Sequence, residues 1–128
     1  MAVAALVTWH VGHDQARGAA AEASIPAHAR LETFSVLTRL PAGRRLDPDL
    51  VATLIRRWFP ARRTLVPTAR LSREIVERCQ DAGVTGGAVY DALIGLTATE
   101  AGLTLLTRDA RAKETYRRLA VPFELPRQ

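Results

Sequence analysis

A chain of 128 residues, 48% hydrophobic and 24% charged, has the length and balance of one soluble domain that can bury its own core. Its composition excludes a disordered chain, and its longest apolar run, residues 1–7, is too short to cross a bilayer and lacks the flanks of an export signal. The net charge is +5, with arginine supplying 17 of the 18 basic residues, and a lone Cys79 excludes an internal disulfide and fits a reducing cytoplasm.

Residues 2–22 are alanine-rich with Val3, Leu6 and Val7 at helical spacing, which predicts helix broken near Gly12. His10, His13 and Asp14 there have a spacing that suits zinc, but Gly12 interrupts it and no distant third ligand is evident. Packing of Trp9 among polar histidines is the better reading. "ASIPAH" (23–28) predicts a short strand, because Pro26 stops a helix from continuing into it. Residues 29–40 predict a helix with Leu31, Phe34 and Leu37 on one stripe. Residues 47–59 predict another, opened by Asp47 and Pro48. A second strand is expected over 63–68, a helix over 71–83 closed by Gly83, and a long helix over 86–102. The strand "LTLLT" (103–107), a helix over 109–119 and a last strand around 121–125 complete the chain. Helices alternating with short strands imply an α/β fold with a mainly parallel sheet, whose ligands gather at the carboxyl ends of strands.

The charge is unevenly spread. Residues 39–78 hold ten arginines against Asp47, Asp49, Glu74 and Glu77, so this segment alone carries +6. Arginine forks bind phosphate bidentately, which makes Arg56, Arg57, Arg62 and Arg63 candidates for an RNA backbone. An arginine-preferring genome and a merely solvated surface is the competing account.

Three acids stand out. Asp109 follows "LTLLT" and precedes a helix, so a helix cap accounts for it taken alone. Asp91 falls inside the predicted helix 86–102, where aspartate has poor propensity, with Gly87 and Gly95 four residues to either side. Those glycines suggest close approach of a ligand, a metal or a backbone, with tight helix–sheet packing as the competing account. Glu32 reads alone as a first-turn glutamate favoured by the helix dipole. Taken together, each lies near a strand's carboxyl end, and clustered carboxylates are reconciled by a hard divalent cation.

The stretches "VAALVTWHVGHDQA", "IPAHARLETFSVLTRLP", "GGAVYDALIGLTATEAGLTLLTRD" and the closing "VPFEL" resemble PIN-domain ribonucleases, in particular VapC-like toxins of toxin–antitoxin pairs. The resemblance implies a single PIN-like domain over residues 1–128, built as a three-layer α/β/α sandwich. It also implies a magnesium- or manganese-dependent endoribonuclease, a cognate antitoxin that blocks it, and a homodimer. Glu32, Asp91 and Asp109 carry over as metal-site and catalytic acids, and Thr107 as a polar residue beside them. One departure stands against the family pattern, in which a first strand ends in a further aspartate: this sequence begins inside the helix that follows. A translation start upstream of Met1 is the expectation, because the pattern downstream is intact. The rival is a shortened, catalytically impaired relative that only binds antitoxin or RNA. An unrelated α/β nucleic-acid-binding protein is the third reading.

Overall fold

Pro26 decides where the first helix can begin. Its ring removes the amide hydrogen that would extend a helix from upstream, and its backbone is extended (φ −60°, ψ 139°), so Ala27 is the first residue to turn. The computed structural model describes residues 24–125, beginning with β1 (Ile25–Pro26) and α1 (Ala27–Thr38). The strand expected over 23–28 is thus two residues long, and Ala27 and His28 are helical. The helix predicted over 2–22, with His10, His13 and Asp14, lies outside the described residues.

Then follow α2 (Pro48–Trp58), a 3-10 turn (Ala61–Arg63), β2 (Thr64–Leu65), α3 (Ala69–Ala82) and α4 (Ala88–Glu100). The chain continues with β3 (Leu105–Leu106), a second 3-10 turn (Ala110–Ala112), α5 (Lys113–Arg118) and β4 (Phe123–Glu124). The fold is α/β as expected, with helices dominating and the strands short. It divides into two units, the first ending at Thr64 and the second beginning at Leu65.

In the first unit, α1 and α2 pack together over Ile25, Leu37, Val51, Ile55 and Phe59, with Phe34, Leu40, Leu46, Leu54 and Trp58 around them. Each such side chain contributes roughly 1.5–3 kcal/mol when fully buried. Local chemistry sets the ends of α2. The Asp47 carboxylate accepts from the Asp49 amide at 2.8 Å, Pro48 occupies the first turn, and Arg56 and Arg57 face the negative end of the helix dipole. The stripe predicted on α1 is only partly right. Leu37 is fully buried, Phe34 is half-buried, and Leu31 is 65% exposed.

In the second unit, Thr68 caps α3 by accepting from the Leu71 amide at 3.0 Å. Its own amide and hydroxyl donate to the two carboxylate oxygens of Glu100, at 2.7 and 2.9 Å, tying the start of α3 to the end of α4. Gly83 ends α3 in the left-handed region (φ 69°), which lets the Val84 amide reach the Cys79 carbonyl at 2.8 Å. Cys79, Val84 and Ala92 form a core with Ile75, Val89 and Leu119. Strands β3 and β4 pair in parallel, Leu105 against Phe123 and Leu106 against Glu124, with α5 as the crossover that a parallel pair requires. No helix among the described residues is long and apolar enough to cross a membrane.

Candidate functional site

Asp109 stands three residues beyond β3, and the strand itself fixes its place. The Thr107 amide donates to the Glu124 carbonyl at 3.0 Å, which continues the β3–β4 ladder past its last paired residue. Thr107 is buried, and its hydroxyl accepts from the Asp109 amide at 3.1 Å. The Asp109 carboxylate in turn accepts from the Arg111 amide at 2.9 Å and so caps the 3-10 turn leading into α5. The expected cap is therefore present. It uses only Oδ1, which also takes the Arg111 guanidinium at 3.5 Å. Thr107, carried over as a polar neighbour, is the residue that positions Asp109.

Asp91 is placed differently from the sequence reading. α4 begins at Ala88, so Asp91 lies in the first turn, where the helix dipole favours an acid, and is half-buried. The two glycines also separate. Gly87 precedes the helix, and a Cβ there would meet nothing within 4 Å. A Cβ on Gly95 would lie 3.1 Å from the Tyr116 ring and from Val121 Cγ1. Gly95 serves close packing of α4, the competing account, and does not clear space for a ligand.

The link from α4 to β3 covers only residues 101–104, and the two elements pack together. A connection this short returns the chain along the helix it has left. Within the second unit, the first turn of α4 and the carboxyl end of β3 therefore face the same way, carrying Asp91 and Asp109.

Glu32 belongs to the first unit. Because α1 starts at Ala27, Glu32 lies beyond the first turn, so the dipole account does not apply. Its carboxylate is half-exposed and stands 3.7 Å from His28 Nε2 one turn back. Among the described residues, no three His, Cys, Asp or Glu side chains form a group placed to hold a metal ion. Arg56, Arg57 and Arg62 are exposed and Arg63 is half-buried, all on the first unit, with Arg56 Nη2 donating to Thr53 Oγ1 at 3.2 Å. Burial pushes the Cys79 thiol above its usual range, against the opposing pull of Arg78, so it is a core residue and a poor nucleophile. Arg111, not singled out from the sequence, is the basic residue whose side chain contacts the Asp109 carboxylate. Its signal was a basic residue two positions after an acid across a turn, "DAR".

The chemistry of the donors suits a hard dication. Within the second unit Asp91 and Asp109 offer carboxylate oxygens, and Asp109 has one oxygen outside the contacts that fix its backbone.

An α/β unit with acids at the carboxyl end of a parallel strand pair defines the class, and comparison with known proteins places it. The chain belongs to the PIN-domain family, whose pattern matches residues 2–118. Among its relatives, Ribonuclease VapC40 of Mycobacterium tuberculosis is 45% identical over 124 residues, covering 96% of this chain and 92% of that protein. Ribonuclease VapC27 of the same species is 42% identical over 123 residues, covering 94% and 88%. The VapC-like resemblance read from the sequence is borne out.

Proposed function

We propose that this chain is a metal-dependent endoribonuclease, the toxin of a toxin–antitoxin pair, working in the cytoplasm as a homodimer and blocked by a cognate antitoxin. The observation that carries the reading is 45% identity across nearly the whole chain to a protein named a ribonuclease. Both units together form the single PIN-like domain. Asp91 and Asp109 of the second unit are the residues that would hold a magnesium or manganese ion, and Glu32 is the further metal-site acid that the family resemblance implies. Such an ion, when bound, stabilises charge on a phosphodiester and makes water more acidic.

The chain's own residues do the rest. Thr107 holds the Asp109 backbone so that its carboxylate stays at the end of β3. The first turn of α4 puts Asp91 at the positive end of the helix dipole, where an acid is favoured. Arg56, Arg57, Arg62 and Arg63 bind the RNA backbone through phosphate.

Labelled RNA incubated with purified protein and manganese tests the reading. Cleavage is expected in the parent and lost in Asp91→Asn and Asp109→Asn. If both variants cut as fast as the parent, the acids are not the site. RNA binding without cleavage by the parent would instead identify a non-catalytic PIN-like module.

A further inference from the structure

We propose that Arg111 is a positioning residue that competes with the divalent ion for Asp109 and, once displaced, holds a phosphate of the RNA. The inference rests on the metal-site reading above and adds a role that neither the acids nor the arginine-rich segment supplies. Two contacts join Arg111 to Asp109, and they differ in kind. The amide contact, at 2.9 Å, belongs to the backbone of the turn. The guanidinium contact, at 3.5 Å, is loose, and the Arg111 side chain is 94% exposed. An exposed pair of this sort adds little stability and exchanges readily, so holding the turn together does not require it.

Its position gives it another use. A dication on the Asp109 carboxylate would share that carboxylate with a guanidinium that cannot lose its proton. Repulsion then drives the arginine off, and its flexible arm leaves it close to the cleavage site. The nearest class of anion able to replace a carboxylate is a backbone phosphate, which the guanidinium fork binds bidentately. The same side chain thus weakens metal binding in the absence of RNA and strengthens RNA binding in its presence.

Arg111→Gln separates these effects, because the backbone cap to Asp109 survives the substitution. Manganese titrated by calorimetry should bind the variant roughly three- to tenfold more tightly, since a neighbouring positive charge is gone. A cleavage-resistant 2′-O-methyl RNA, with manganese present, should bind less tightly, and the slope of log Kd against log salt should fall by about 0.7, the share of one neutralised phosphate on a single strand. Arg111→Lys should restore manganese affinity and the salt slope to parental values but recover RNA affinity only partly, because the fork is absent. Opposite shifts in the two affinities are not expected of a residue that merely supports the fold.

Manganese binding that is unchanged or weakened in Arg111→Gln, or an unchanged salt slope, overturns the inference. Asp91→Asn and Asp109→Asn run in parallel tell the two levels apart. If they bind manganese as the parent does, the metal-site reading fails and this one falls with it. If they lose manganese while Arg111→Gln matches the parent, only the role of Arg111 is refuted.

Discussion

In the first unit, α2 buries only Val51 and Ile55 fully, with Leu54 and Trp58 half-buried beside them, and leaves Thr53, Arg56 and Arg57 exposed. In the second, α4 buries Ala92 and the five consecutive residues 94–98, so it is enclosed on every side over that stretch of more than one turn. Functional candidates follow the same division. The first unit offers long-armed arginines on an exposed surface, whose effect is long-ranged and screened by salt. The second offers two acids whose backbones are fixed, one by a buried helix and one by a hydrogen-bonded strand end. Reaction chemistry needs fixed groups, whereas holding a polyanion needs only charge within reach. On the reading proposed above, most of the chemistry falls to the second unit and most of the affinity to the first, with Glu32 the exception.

The sharpest way to break that assignment is to neutralise the acids. Asp91→Asn and Asp109→Asn should each lower manganese-dependent cleavage by more than the roughly 10- to 100-fold that a supporting partner of a metal ligand is worth. RNA binding at fixed salt should change far less. Circular dichroism and melting of the variants check that the fold persists, because both acids are at least partly exposed. A large loss of RNA affinity with cleavage per bound RNA intact would reverse the assignment.

The complementary change is in the first unit. Replacing Arg56, Arg57, Arg62 and Arg63 together by glutamine should flatten the salt dependence of RNA binding by as much as about 3 in log–log slope, at roughly 0.7 for each phosphate left without its arginine. Saturating RNA should restore most of the cleavage rate. A parental slope in the quadruple variant would move the RNA surface away from α2 and the turn after it.

The parts of the fold that were legible in sequence are those decided locally. Asp47 with Pro48, and Gly83, mark helix ends because a cap or a left-handed residue acts within one turn. What escaped depends on interactions with distant parts of the chain. β1 and β2 are two residues each, too short for propensity to outweigh neighbouring helix. Leu31, Phe34 and Leu37 looked like one stripe, yet steps of three residues drift around a helix, leaving the first and last about 120° apart. Leu31 accordingly points to solvent while Leu37 is fully buried. The candidate acids sit in local settings that the sequence did not always fix. Asp91 stood out as an interior aspartate, whereas it lies in a first turn whose start carries no capping side chain to announce it.

Thr107 tests whether fixing the backbone matters for the second unit. Thr107→Val keeps the shape and removes the hydroxyl that accepts from the Asp109 amide. Leaving such a donor without its acceptor costs about 1–3 kcal/mol where water cannot replace it. Cleavage should fall by about tenfold, the lower end of what a supporting residue contributes, with RNA affinity unchanged. Thr107→Ser, which retains the hydroxyl, should recover most of the rate. A fully active Thr107→Val would mean that Asp109 needs no such support.

Gly95 gives the smallest effect and asks whether α4 is as firmly held as the comparison requires. Gly95→Ala gains about 1 kcal/mol of helix propensity. Against that, the new methyl would stand 3.1 Å from Tyr116 Cδ1 and Cε1 and from Val121 Cγ1. Both neighbours are buried, and the Val121 amide donates to the Tyr116 carbonyl at 2.9 Å, so neither has an easy way to retreat. Tyr116 is also set against the Phe123 ring at 5.5 Å between centroids. Overpacking of this kind costs about 1–3 kcal/mol, so the net result should be a loss of about 1 kcal/mol. Urea denaturation should show this as a lower midpoint with an unchanged slope. Val121→Ala removes one of the opposing neighbours, and in that background the same methyl should cost less, with a coupling of at least about 0.5 kcal/mol between the two sites. If Gly95→Ala stabilises the protein in both backgrounds, propensity outweighs packing here. The end of α4 would then have room to move, and Asp91 would lose the rigid support that sets the second unit apart from the first.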